Sequence, residues 1–217
     1  MNTDASSNKS NNTPIVFASS NAGKIAELDA LLSPLGLSVK SQVALGVEPL
    51  PETAVTFVEN AIVKARHASD KTGLAAIADD SGIEVDALQG APGLYYARYA
   101  QMHDAGSGDE ANNELLLKHL HDVPDEKRTA RFRCVLVYLR HANDPSPIIA
   151  QGVWEGVILR EIVKGGGFGY NPVFCSNDTG VATSLLDEDV KNALSHRGQA
   201  VKALIAALSQ ASELHTT

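Results

Sequence analysis

Residues 130–162 constrain the fold more than any other stretch of this chain. ARFRCVLVYLRHA sets Phe132, Cys134, Leu136 and Tyr138 in alternation with Arg131, Arg133, Val135 and Val137, a period of two that belongs to a strand and not to a helix. The turn NDPSP leads into a second extended run, IIAQGVWEGVILREI, and together they predict a long antiparallel hairpin. On either side, strands and helices resume. PIVFAS reads as a first strand, NAGKIAELDALLSPLG as a loop entering an amphipathic helix, and TAVTFVENAIVKARHASDKTG as a long helix capped by Thr53 and stopped by Gly73. LAAIAD and GIEVDAL read as short strands flanking two aspartates, and DEANNELLLKHLHDV as a helix with Leu115, Leu116 and Leu120 inward. KGGGFGYNPVF is a glycine loop entering a short strand. DEDVKNALSHRGQAVKALIAALSQ is a closing helix that SHRG breaks or kinks, Gly198 being unfavourable there by about 1 kcal/mol relative to Ala. Because the hairpin interrupts the β-α alternation, the predicted class is α/β with a mixed sheet, not a regular doubly wound one.

With 217 residues, 44% of them apolar, the chain can build a full core, which excludes the disordered and fibrous classes. Residues 1–13 are too polar to order themselves and are predicted to be a disordered tail; residues 14–208 form one folded unit, and 209–217 a frayed tail. The 18 basic residues face 26 acidic ones, a net charge of -8 that argues against a DNA or RNA groove. A small nucleotide carrying its own metal is still permitted, because a few amides and cations hold it locally. Cys134 and Cys175 lack CxxC spacing and are expected to be buried small hydrophobes. The N-terminus has no apolar signal core, and no run approaches the roughly 20 apolar residues of a membrane helix, so a cytoplasmic protein is expected.

Several stretches carry chemistry. SSNAGK, Ser19 to Lys24 through Ser20, Asn21, Ala22 and Gly23, follows a strand and opens a helix, where amides and the helix dipole attract an anion. It is not a Walker A loop, since Ile25 follows the lysine; capping by Ser20 or Asn21 is the alternative use of the same residues. ADDSGIE presents Asp79 and Asp80, whose side chains point to opposite faces if the chain is extended. A carboxylate at a strand end beside Ser81 suits Mg²⁺, which takes one or two carboxylates and completes its shell with water and phosphate; a capped turn is the alternative. Glu52 is the candidate second acid. In the long helix Asn60, Lys64 and His67 share one stripe and Phe57, Ala61 and Ala65 an apolar one, so Lys64 reaches a phosphate only if its stripe lines a cleft. Phe168 and Tyr170 in GGGFGYNP are rings able to stack on a base or to fill the core. His196 and Arg197 are donors able to meet a carbonyl on a base edge, or a surface pair at a helix end.

Taken together and in order, SSNAGK, FVENAIVKARHA, ADDSGIEVDALQGAPGLYYARYA, GGFGYNP and SHRGQA resemble the inosine triphosphate pyrophosphatase family from about Pro14 to Leu208. The resemblance implies a two-lobed α/β fold with a long central mixed sheet, a nucleotide cleft between lobes and a homodimer. It also implies Mg²⁺-dependent hydrolysis of ITP, dITP and XTP to the monophosphate and pyrophosphate, a cleansing of the nucleotide pool. By motif position it implies that Ser19 to Lys24 contact the triphosphate, that Asp80 accepts a proton and binds metal with Glu52, and that Ser81 contacts substrate. Phe168, Gly169, Tyr170, Asn171, Lys191, His196 and Arg197 correspond to nucleoside-binding positions. The family's loop usually reads FGYDP, so Asn171 loses a charge while keeping a carbonyl acceptor. Two other readings compete: a pyrimidine or modified-nucleotide pyrophosphatase of the related Maf-like group, against which His196-Arg197 argues, and a nucleotide-binding regulator without turnover.

Overall fold

The computed structural model describes residues 14–33 and 37–213; the predicted N-terminal tail and residues 214–217 lie outside them. The predicted hairpin forms. β5 (Thr129–Leu139) and β6 (Ile148–Ile158) pair antiparallel from Thr129 opposite Val157 to Tyr138 opposite Ile148. They sit in a seven-stranded mixed sheet with β1 (Ile15–Phe17), β2 (Val39–Ser41), β3 (Ala76–Val85) and β7 (Phe174–Ser176) in the order β2-β1-β3-β5-β6-β7, while the short β4 (Pro92–Gly93) pairs with β3. Among the described residues, only the β1–β2 and β1–β3 pairs are parallel.

β3 corrects the sequence reading. In place of two short strands around the aspartates, one strand of 10 residues runs straight through them, paired with β5 along its length. Two carboxylates sit in mid-strand because helices on both faces supply their partners, a tertiary effect that no local pattern announces. α2 (Phe57–Thr72) ends at Gly73 as predicted, with φ +69, but its cap is Thr56 and not Thr53. Thr56 Oγ1 accepts from the Glu59 amide at 3.3 Å and donates to Glu59 Oε2 at 2.6 Å, the Thr-x-x-Glu spacing of a helix start.

The alternation of each strand distributes the core. Ile15, Phe17, Ile77, Cys134 and Leu136 face α1 (Ala22–Leu32) and α5 (His196–Glu213), whereas Val16, Ala76, Ala78, Val135 and Val137 face α2. Beyond the aspartates, Ile83, Phe132, Trp154, Tyr170 and Phe174 form a separate aromatic core with Leu116 and Leu120 of the helix α3 (Gly108–His119) and its C-terminal end. Leu115 is buried as well. Cys134 is buried, but Cys175 is half-buried on the short edge strand, against expectation.

The closing helix is split, as SHRG suggests. α4 (Glu188–Leu194) ends at Ser195, whose ψ of 157° is extended, and α5 starts at His196 and continues past Leu208 to Glu213. Gly198 is required by proximity: a Cβ there would collide with the Asn192 carbonyl. α5 lies equally close to β6, since a Cβ on Gly152 would overlap the His196 carbonyl and approach the Ala200 amide to 2.8 Å. Gly152→Ala is therefore expected to force α5 off the sheet and lower stability by about 1–3 kcal/mol, or more if the helix cannot shift, as urea denaturation would read. Among the described residues, no helix is long and apolar enough to cross a membrane.

Candidate active site

The site follows from the pleat of β3. Asp79 points to the α1/α5 face, where Lys24 Nζ meets Oδ1 at 3.1 Å and Arg197 meets Oδ2 through Nε at 3.3 Å and Nη2 at 3.1 Å. Arg197 also pairs with Glu27 through Nη1 and reaches Ser81 Oγ at 3.4 Å. Lys24, Asp79 and Arg197 are all buried. Burial alone would raise the Asp79 pKa, but Lys24 and Arg197 outweigh it and hold the carboxyl well below the usual carboxylate range. Burial likewise works against the charge on Lys24, and Asp79 reverses it, so that its pKa rises.

Asp80 points the opposite way, to α2. Lys64 Nζ donates to Oδ1 at 3.0 Å and Asn60 Nδ2 to Oδ2 at 3.1 Å, while the same ammonium holds Glu52 Oε1 at 2.8 Å. The Asn60–Lys64–His67 stripe thus faces the cleft and not solvent; His67 Nε2 bonds the Glu48 carbonyl at 2.9 Å. Desolvation is the largest influence on Asp80 and, with the nearby Glu52 charge, exceeds the pull of Lys64, so its pKa is raised to about 6. One strand therefore carries neighbouring carboxylates with oppositely displaced pKa values, the pattern that separates an acid-base group from a structural one.

Two compartments open beside them. A cavity of about 230 Å³ is lined by Ser19, Ser20, Asn21, Lys24, Glu52, Lys64 and Asp79, among others. Asn21 caps α1, its Oδ1 accepting from the Lys24 amide at 3.1 Å, so the capping use of SSNAGK is realised at the first turn beginning with Ala22, and the same turn lines this cavity. The second compartment, of about 30 Å³, is lined by Phe132, Trp154, Phe168, Tyr170, Asn171 and His196, with Ser81, Gly169, Lys191 and Arg197 also on its wall. Tyr96 borders both. Asp80 sits just behind the first cavity and meets it through Lys64.

The site residues from sequence are brought together, with changes of part. Arg197 was read with His196 as a base-edge donor, but its guanidinium is committed to Asp79, Glu27 and Ser81, because a buried cation needs buried carboxylates. His196 lines the aromatic compartment: the residue is half-buried, its ring stacks on Phe132 at 4.8 Å and 12°, and its buried Nδ1 has no partner. Burial first and Arg197 second push its pKa well down, so the ring is neutral. Tyr170 is a core residue, 1% exposed, its hydroxyl donating to the Tyr96 carbonyl at 2.8 Å. Phe168 is the less fixed ring, lying where a Cβ on Gly23 would come within 2.7 Å of its Cε1. Asn171 orders the loop: Thr183 Oγ1 donates to its Oδ1 at 3.1 Å and to its carbonyl at 3.2 Å, which an uncharged amide does as well as a carboxylate. Lys191 is tied to Glu188 at 2.7 Å and Glu27 at 3.8 Å. Glu27, Tyr96, Phe132 and Trp154 were missed, since each looks like an ordinary helix, loop or core residue until the fold assembles it.

A mixed sheet with displaced carboxylates, one charged compartment and one aromatic compartment defines an α/β enzyme site for a ligand with an anionic tail and a flat ring. The chain belongs to the Ham1 family, which matches residues 15–207. It is 55% identical to a dITP/XTP pyrophosphatase from Salmonella paratyphi A, across 89% of this chain and 97% of that protein. It is 52% identical to the dITP/XTP pyrophosphatase of Escherichia coli K12 over the same shares. Among solved structures, a HAM1 protein from Coxiella burnetii superposes with a TM-score of 0.82 at 43% identity, covering 91% of this chain and 99% of that one.

Proposed function

We propose that this protein hydrolyses non-canonical purine nucleoside triphosphates, namely ITP, dITP and XTP, to the monophosphate and pyrophosphate, and so cleanses the nucleotide pool. The observation that carries this reading is the division of one cleft into a lysine-lined compartment and an aromatic one, with Asp80 between α2 and the sheet at a pKa of about 6. Family membership and relatives named for dITP and XTP support the substrate class. Residues 14–208 act as one two-lobed unit, in the cytoplasm where such nucleotides arise, and as a homodimer.

The donor set fits Mg²⁺. Asp80 and Glu52 are hard oxygen ligands already converging on one cation, the Lys64 ammonium, at 3.0 and 2.8 Å. Among the described residues no cluster of three or more His, Cys, Asp or Glu could hold a metal without substrate, so Asp80 and Glu52 would hold the ion together with phosphate and water. When bound, it would neutralise phosphate charge. The chain's own groups do the rest. The Ser19 to Lys24 turn receives the triphosphate, Asp80 accepts the proton of the water that attacks the α-phosphorus, and Lys24 and Lys64 stabilise the departing pyrophosphate. His196 Nδ1 awaits a partner at the base, so an unsuitable base edge leaves a buried group unpaired at about 1–3 kcal/mol.

Steady-state pyrophosphate release from ITP, dITP, XTP, GTP and ATP with Mg²⁺ tests the reading. Preference for the first three is expected; orthophosphate as the direct product, or a preference for UTP or dTTP, would sink it. The pH profile is a separate check. Only ionised Asp80 accepts a proton, so kcat/KM should rise with pH through a limb near 6 and level off above it.

A further inference from the structure

None of the motifs used so far lies in α3, yet this helix directs three polar side chains at the walls of the aromatic compartment. Asn112 and Asn113 are buried in its middle, where polar groups are costly unless bonded. Asn112 Oδ1 accepts from the Ala100 amide at 2.8 Å and its Nδ2 donates to the Ala97 carbonyl at 3.2 Å, fixing the segment that carries Tyr96. Asn113 Nδ2 donates to the Gly169 carbonyl at 3.0 Å, and Asp109 Oδ2, one turn earlier, accepts from the Gly169 amide at 2.6 Å. Both backbone polar groups of a single residue are thus held by one helix. Gly169 has φ +63, and its neighbours are Phe168 and Tyr170.

In this arrangement the aromatic compartment measures about 30 Å³, room for about one or two waters and far too little for a purine. Part of the wall must shift to admit a base and then hold it, so a loop gripped in place favours the bound state. Tyr170 is fixed by the core and its bond to Tyr96, whereas Phe168 is partly exposed and directly follows a run of glycines, 165–167. Asn113 Oδ1 is buried without a partner, so the closed loop leaves one acceptor unmet beside it. We infer that Asp109 and Asn113 are positioning residues: by gripping Gly169 they hold the 165–169 loop against the base compartment, and so set substrate affinity without touching the reacting atoms. The substrate in this inference rests on the purine triphosphate reading, but the clamp itself does not.

Trp154, the sole tryptophan, is buried in the wall of the same compartment and reports on the loop independently of turnover. Acrylamide quenching of its fluorescence and the kinetics of dITP hydrolysis are measured for wild type, Asp109→Ala, Asp109→Asn and Glu110→Ala. Asp109→Ala is expected to raise the quenching constant about twofold and KM roughly tenfold with kcat within about threefold, as loss of one charge-assisted bond implies. Asp109→Asn retains an acceptor for the Gly169 amide and recovers both. Glu110→Ala removes the neighbouring first-turn charge and stays at the wild-type values. Unchanged quenching and KM in Asp109→Ala, quenching that changes while KM does not, or the same shifts in Glu110→Ala, would overturn the clamp. If wild type hydrolyses none of the purine triphosphates while quenching still separates Asp109→Ala from Asp109→Asn, the functional reading fails and the clamp stands.

Discussion

Asp80→Asn is expected to lose about 10²–10⁴-fold in kcat for ITP while the protein stays folded, because the substitution removes a proton acceptor and little else. Asparagine has the same shape and retains an acceptor for Lys64, which is now 3.0 Å from Oδ1 and also holds Glu52. Asn60 donates to Oδ2 at 3.1 Å and Lys64 to Oδ1, so whichever way the amide turns one of the two bonds is lost, at about 1 kcal/mol. The wild-type carboxyl is destabilised when ionised, as its pKa near 6 states, and an amide escapes that penalty. The folded state is therefore spared while chemistry fails. Pyrophosphate release across pH 5–9, with circular dichroism on the same samples, separates the two effects. Near-wild-type turnover in Asp80→Asn would move the base elsewhere, and Glu52 would be the next group to substitute.

Which parts were legible follows from how local their causes are. The β5–β6 hairpin declares itself by period, and Gly73 by its place after the last helical turn. The two segments of the closing helix were legible through Gly198, though the cause, contact with the Asn192 carbonyl, is tertiary. Thr56 was legible in principle, through the glutamate three residues on, but Thr53 competes for the same role. The continuity of β3 was not legible. An aspartate pair reads as a strand end because its partners are invisible from the chain: Lys24 lies 55 residues from Asp79 and Arg197 lies 118. The same distance hides the part Arg197 plays. A motif places an arginine beside a histidine, and only packing decides that the histidine faces the aromatic compartment while the guanidinium serves a buried carboxylate. Asn112 and Asn113 were hidden differently, since two asparagines in a helix look like weak helix formers until the loops they hold come into view.

Asp79→Asn should fail in the opposite manner to Asp80→Asn, through stability. Asp79 is the shared counter-ion of Lys24 and Arg197, all three buried. Breaking a buried pair by removing one partner leaves an uncompensated charge and costs about 3–5 kcal/mol. In a domain of this size each kcal/mol moves Tm by about 2–4 °C, so a fall of roughly 10 °C is expected in differential scanning calorimetry. The dependence on pH fixes the cause. The folded pKa of Asp79 lies below the ordinary aspartate value of 3.8. Its contribution is therefore complete above that value and is lost as pH falls below it toward the folded pKa. The gap in Tm between wild type and Asp79→Asn should accordingly be full at neutral pH and begin to narrow only below about pH 4. Removing one of the stranded cations should help: Asp79→Asn combined with Lys24→Met is expected to lose less than the two single variants add up to, since Arg197 still has Glu27. A gap that persists unchanged in strong acid, or strict additivity in the double variant, would mean that Asp79 supports β3 through shape and hydrogen bonding and not through its charge.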